Sequence, residues 1–176
     1  MRKVLYIFGL LTDGDVEWIA HTGVRRRVRD REILIQEGRS ADSVIILLQG
    51  QLLVTAQGVG EVARLGVGEI VGEMSFVDSA PPSATVTAVG ECLALFLDKN
   101  VVARKLETDV AFGCRFYRAL AVFLADRLRE TVRRFGYGPV QGTEAVAKDE
   151  LDIGILDTVS IAGDRFDRML KVLVGE

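Results

Sequence analysis

A carboxylate set between a glycine and a short polar loop is a candidate ligand site, and the run from Val71 to Ala88 contains one at Glu73. Gly72 permits a tight turn just before it. Met74 to Val77 can make one helical turn. Its free backbone N–H groups would converge on one spot and suit an anion. Pro81 and Pro82 stiffen the loop before a strand expected to start at Ser83. Backbone amides near Ser75 and Ser83, with the hydroxyls of Ser83 and Thr85, offer further donors. Such a constellation can bind a small molecule bearing hydroxyls and a phosphate.

Other chemistries find less support. His21 is the only histidine, which rules out a histidine-rich metal site and disfavours a Ser-His-Asp triad. Asp149, Glu150, Asp152 and Asp157 match no calcium loop. No catalytic and no metal-ligating residue is therefore expected. Arg25, Arg27, Arg29 and Arg31 alternate and read as a solvated outer strand face, ahead of a stripe for an acidic partner or lipid. The formal net charge is −3, from 22 basic and 25 acidic residues, so no global positive field exists to hold nucleic acid. Cys92 and Cys114 lie in apolar surroundings and read as buried reduced thiols, which fits a cytoplasmic protein. The apolar run Val4 to Leu11 follows two basic residues, but it is too short to span a bilayer and no small-residue cleavage site follows. It is expected to pack on the domain.

The elements that must position Glu73 are mostly strands. Thr12 and Asp15 form a capping-box pattern ahead of a short helix that ends at Gly23. From Val24 the apolar period shortens. Short β-rich runs at 24–29, 33–35, 44–48, 52–54, 62–67, 85–89 and 92–97 are separated by Gly38, Gly50, Gly58 and other turn signals. That pattern predicts a sandwich or barrel and not an alternating α/β fold. Asp98 can cap a short helix through Leu106. A longer helix is expected from about Val110 to Phe135, with Phe112, Phe116, Leu120, Phe123 and Leu128 on an apolar stripe suited to pairing with a second copy. Residues 136–150 read as a linker. A tail at 151–176 carries two helical patterns divided by Gly163.

The run Val71 to Ala88 resembles the phosphate-binding cassette of cyclic-nucleotide-binding domains. Gly72, Glu73, Met74, Ser75 and Phe76, then Pro81, Ser83, Ala84 and Thr85, match its pattern without a gap. The resemblance covers roughly residues 8–135. It implies a mainly β fold: a double-stranded β-helix, or jelly-roll, barrel with an N-terminal helix, a long C-terminal dimer helix and, here, a small helical tail. It further implies a ligand site of Gly72, Glu73, Met74, Ser75, Pro82, Ser83 and Thr85. Glu73 would accept from a ribose 2′-hydroxyl, and Thr131 of the long helix would contact the base. The family's phosphate-binding arginine falls on Pro82 in this chain. The expectation is a non-enzymatic regulatory or sensor module that needs no cofactor and takes cyclic AMP, cyclic GMP or a nucleoside weakly if at all. The alternative is a degenerate domain used only for dimerisation or protein interaction; a transcription regulator lacking its DNA-binding domain stands third. A homodimer through Val110–Phe135 and an unknown protein partner are expected, with neither nucleic acid nor membrane.

Overall fold

The computed structural model describes residues 4–134 and 153–174. The linker expected at 136–150 and the end of the long helix at Phe135 lie outside them.

Two helices precede the strands, α1 (Val4–Leu10) and α2 (Asp13–Thr22). The Thr12 side chain accepts from the Asp15 N–H while the Asp15 carboxylate accepts from the Thr12 N–H, completing the capping box. Six strands follow: β1 (Val24–Val28), β2 (Ile33–Ile35), β3 (Ser43–Ala56), β4 (Gly60–Leu65), β5 (Ile70–Val71) and β6 (Thr85–Asp98). The one-turn helix α3 (Met74–Val77) separates β5 from β6. Three helices complete the chain: α4 (Lys99–Thr108), α5 (Val110–Arg134) and α6 (Ile153–Val174). Asp98 caps α4 by accepting from the Asn100 and Val101 N–H groups.

All strand pairs are antiparallel, in the order β1-β6-β3-β4, with β2 added to β6 and β5 to β3. This is the jelly-roll arrangement with flanking helices. It is not fully closed, because the strand order ends on β1 and β4, which do not pair. β3 and β6 are each one long strand where the sequence reading had two, because the chain bends at glycines without leaving the sheet. Their ladder shifts register on both sides of Gln49. Gly50 sits there at φ +97°, and a Cβ on it would lie 2.6 Å from Cys92 Sγ.

Successive residues of β3 feed two different cores. Ile45, Leu47 and Leu52 point into the barrel with Val28, Ile35, Leu65, Val71 and Ala94. Val44, Ile46 and Leu48 point outward beneath Phe8, Phe112, Phe116, Phe123 and Phe166 of the helical layer. Both faces of the strand are buried, so its sequence reads as a continuous apolar run.

The N-terminal run does pack on the domain, with Ile7, Phe8 and Leu11 buried. The tail departs from expectation. It forms one helix straight through Gly163, because Ala162, Phe166 and Met169 on either side of that glycine are buried against the other helices. Arg165 fastens α6 by donating to the Phe8 and Leu11 carbonyls and pairing with Asp13. At the far end Arg25 donates to the Leu173 carbonyl, so this arginine of the β1 stripe belongs to the tail contact and not to a free outer face. Cys92 is buried as expected, whereas Cys114 is exposed because it lies on the outer face of α5.

Candidate functional site

The cassette runs from β5 through α3 to β6. Gly72 has φ +84°, and a Cβ there would meet the Ser43 carbonyl at 2.6 Å, so this position requires glycine twice over. The turn delivers Glu73 to the head of α3, where it is only 2% exposed. The far side of the loop is pinned to the β2–β3 turn. The Gly38 N–H donates to the Pro82 carbonyl at 2.8 Å, and the Glu37 N–H donates to Thr85 Oγ1 at 3.1 Å. Pro82 and Thr85 therefore hold the loop's shape. Ser83 and Met74 are exposed, Met74 by half its surface. The strand begins at Thr85, where the β-rich run 85–89 begins and two residues after Ser83.

Two cations reach this cassette from outside its own sequence. Arg127 of α5 donates through Nη1 to Glu73 Oε1 at 2.6 Å and through Nη2 to the Ile70 carbonyl at 3.0 Å. The same Nη2 lies 3.3 Å from Glu69 Oε2. Its guanidinium carbon stacks 4.5 Å above the Phe123 ring. Lys99, at the start of α4, donates to Ser75 Oγ at 2.7 Å. Burial pushes the Glu73 carboxyl above its ordinary range, with Arg127 pulling the other way. Burial also lowers the Lys99 ammonium, opposed by Asp42, Glu73 and Asp78.

The fold thus brings Gly72, Glu73 and Ser75 together with two cations that reading the loop alone misses. One signal for Arg127 exists in the sequence. Phe112, Phe116, Leu120 and Phe123 form a stripe at three- and four-residue steps, and Arg127 is the next member at a step of four. A charge on the buried face of a helix needs a buried partner. Thr131, one turn further, is exposed, and its hydroxyl donates to the Arg127 carbonyl of its own helix at 2.9 Å. Among the described residues no cluster of histidine, cysteine and carboxylate side chains could hold a metal, and no helix is long and apolar enough to cross a membrane.

A glycine-carboxylate cassette between the strands of a jelly roll, closed over by a following helix, defines a cyclic-nucleotide-binding fold. Residues 25–109 match the family model of the cyclic nucleotide-binding domain. A Rhodopseudomonas palustris protein named as a candidate potassium channel protein is 29% identical over 94 residues, which are 52% of this chain and 23% of that protein. A cGMP-dependent protein kinase of Eimeria tenella is 28% identical over 99 residues, 56% of this chain and 10% of the kinase. The matches span under a quarter of these relatives' lengths. The crystal structure of a cyclic nucleotide-binding domain from Methylobacillus flagellatus superposes with a TM-score of 0.70 at 22% identity, covering 81% of this chain and 85% of that one.

Proposed function

We propose that the chain is a non-enzymatic regulatory module whose cassette takes a cyclic nucleotide, or a related ribose ligand, weakly. The observation that carries this reading is Glu73, buried at the head of α3 behind a glycine that only glycine can replace. A carboxylate in that place is poised to accept from a ribose hydroxyl. Weak binding follows from Pro82, which removes the cation that a cyclic phosphate would meet. A hydrogen bond to a charged group is worth about 1.5–3 kcal/mol, which corresponds to roughly ten- to hundredfold in affinity. Both cysteines are free, which fits a reducing cytoplasm.

Calorimetric titration with cyclic AMP, cyclic GMP and adenosine tests the reading, with the P82R variant alongside. The wild type should bind one of the cyclic nucleotides weakly, and P82R should bind it roughly ten- to hundredfold more tightly. Silence from both proteins toward all three compounds would remove the ligand reading.

A second reading, a module kept for association, is favoured by the outer face of α5. Val110, Tyr117, Leu128 and Val132 are exposed there, with Cys114 and Ala121 continuing the row up to a gap of seven before Leu128. The stripe expected to pair, with Phe112, Phe116, Leu120 and Phe123, is buried in this chain's own core, so the exposed row would be the seam for a second copy instead. Light scattering at micromolar concentration should return a dimer for the wild type and a monomer for L128E. A monomeric wild type would exclude the seam as a self-interface.

A further inference from the structure

The strand path ends on β1 and β4, and its two ends are finished differently. Among the described residues each of these strands pairs along one side only, β1 with β6 and β4 with β3. Such an edge leaves alternate N–H and C=O groups without a ladder partner and invites another strand to pair. On β4 the charges are matched within the strand. Arg64 donates through Nε and Nη2 to the two carboxylate oxygens of Glu61, at 2.9 and 3.1 Å. β1 and the turn after it carry an excess. Residues 24–32 hold five arginines and two acids, in a chain whose net charge is −3.

The register of β1 sorts those arginines. Arg26 stands opposite Ala94 on the barrel face, where its guanidinium lies 4.2 Å above the Phe96 ring and 3.2 Å from Glu32. Arg31 lies 3.7 Å from Asp30. Arg25 and Arg27 stand opposite Leu95 and Leu93, on the face turned to the helical layer. Arg29 follows at the same interval, one residue past the end of the strand. Arg25 donates to the Leu173 carbonyl, and among the described residues no carboxylate pairs with Arg25, Arg27 or Arg29. All three are exposed. Three guanidinium groups at two-residue steps therefore line an open backbone edge.

We propose that β1 is a docking edge for an acidic, extended segment of a partner protein. The segment adds to the sheet beside β1 and sets its carboxylates against Arg25, Arg27 and Arg29. Side chains two residues apart on a strand recur about every 6.6 Å, so acids at alternate positions match the arginine spacing. Paired strands bring facing Cβ atoms to about 5 Å, within reach of a guanidinium. Main-chain pairing supplies affinity, and charge selects the segment. Nucleic acid and anionic lipid share the negative charge but bring no peptide ladder to fill the edge. The proposal is independent of the cassette and of any ligand there.

The test titrates the full chain by calorimetry, without nucleotide, against a capped peptide of alternating glutamate and threonine. A second peptide of the same sequence is N-methylated throughout, which keeps every charge and removes every N–H that a ladder needs. The first peptide should bind, and the second should bind about tenfold or more weakly, the equivalent of two or three lost hydrogen bonds. The double variant R27E, R29E should weaken binding of the first peptide about tenfold or more, because repulsion replaces attraction. The double variant R27K, R29K keeps the charge and should lie between that variant and wild type. In wild type, bound peptide should slow amide hydrogen exchange over 24–28 and leave 60–65 unchanged. Equal binding of the N-methylated peptide would reduce the edge to a charged surface and overturn strand addition. Unchanged affinity in R27E, R29E, or slowed exchange confined to 60–65, would place the contact elsewhere and overturn the assignment to β1. No binding of the first peptide would overturn the proposal outright. So would tighter binding of a single-stranded oligonucleotide or a phosphatidylserine vesicle than of that peptide.

Discussion

The two ends of α5 carry the same chemical device in different settings. At the near end Arg115 grips Asp15, the residue that also closes the capping box of α2. At the far end Arg127 grips Glu73, the buried carboxylate of the cassette. Around Arg115 the helix is also held by buried phenylalanines at 112 and 116. Beyond Phe123 only Leu124 still packs partly against the core, and the contact with the cassette is the polar one of Arg127. An arginine–carboxylate pair on a packed helix adds to a contact that the core already enforces. On a less packed segment the same pair carries a larger share of the contact. The difference lies in what surrounds each pair.

The largest effect that can sharpen this contrast comes from the core. Phe116 is 4% exposed and packs against both Phe112 and Phe76. F116A should cost about 3–5 kcal/mol of global stability in urea denaturation. A loss below about 1 kcal/mol would mean that the near half of α5 is no better anchored than the far half, and the contrast would fail.

Next in size is the far pair, where the two partners should not be equivalent. R127M leaves Glu73 buried without its counter-charge, and a buried acceptor without a partner costs about 1–3 kcal/mol. E73Q leaves Arg127, whose side chain is 25% exposed and can turn to water, so it should cost less. The pH dependence carries the same distinction with opposite signs at the two ends. Burial raises the Glu73 carboxyl, so its contribution is fully present at low pH and lost as pH rises through the raised value. At Asp15 burial also acts upward, but the hydrogen bonds from Arg115 and Thr12 outweigh it and hold the carboxyl below 3.8. Its contribution is present above 3.8 and lost as pH falls through the lowered value. Melting temperatures across pH should show E73Q removing loss on the alkaline side and D15N removing loss on the acid side. The same sign from both variants would place the two pairs in one environment.

What the sequence discloses follows the range of the interactions. The capping box at Thr12, the Asp98 cap and the cassette turn at Gly72 are local, and their residue types and spacing specify them outright. The short apolar, β-branched run of β3 likewise discloses a strand. The continuity of α6 through Gly163 is set by burial of Ala162, Phe166 and Met169, which outweighs the poor helix propensity of one glycine. The exposure of Cys114 depends on which face of α5 meets the barrel, a fact that apolar neighbours in sequence do not carry. The partner of Glu73 lies 54 residues away, and no local rule connects the two positions. The loop residues describe a site open to ligand. Only the packing of α5 closes it.

The smallest expected effect tests whether the two ends are independent. T12A removes the hydroxyl that accepts from the Asp15 N–H and should cost about 1 kcal/mol, the usual value of a lost helix cap. Asp15 keeps its Arg115 pair in that variant, but it loses a contact that helps orient the carboxylate. T12A and R115M should therefore be non-additive, since both act through Asp15. T12A and R127Q should add within about 0.3–0.5 kcal/mol, because Arg127 lies about 18 Å further along the helix and shares no partner with Thr12. The cycle is measured by urea denaturation of the four proteins in each set. Coupling between Thr12 and Arg127 beyond that margin would show that α5 transmits strain along its whole length.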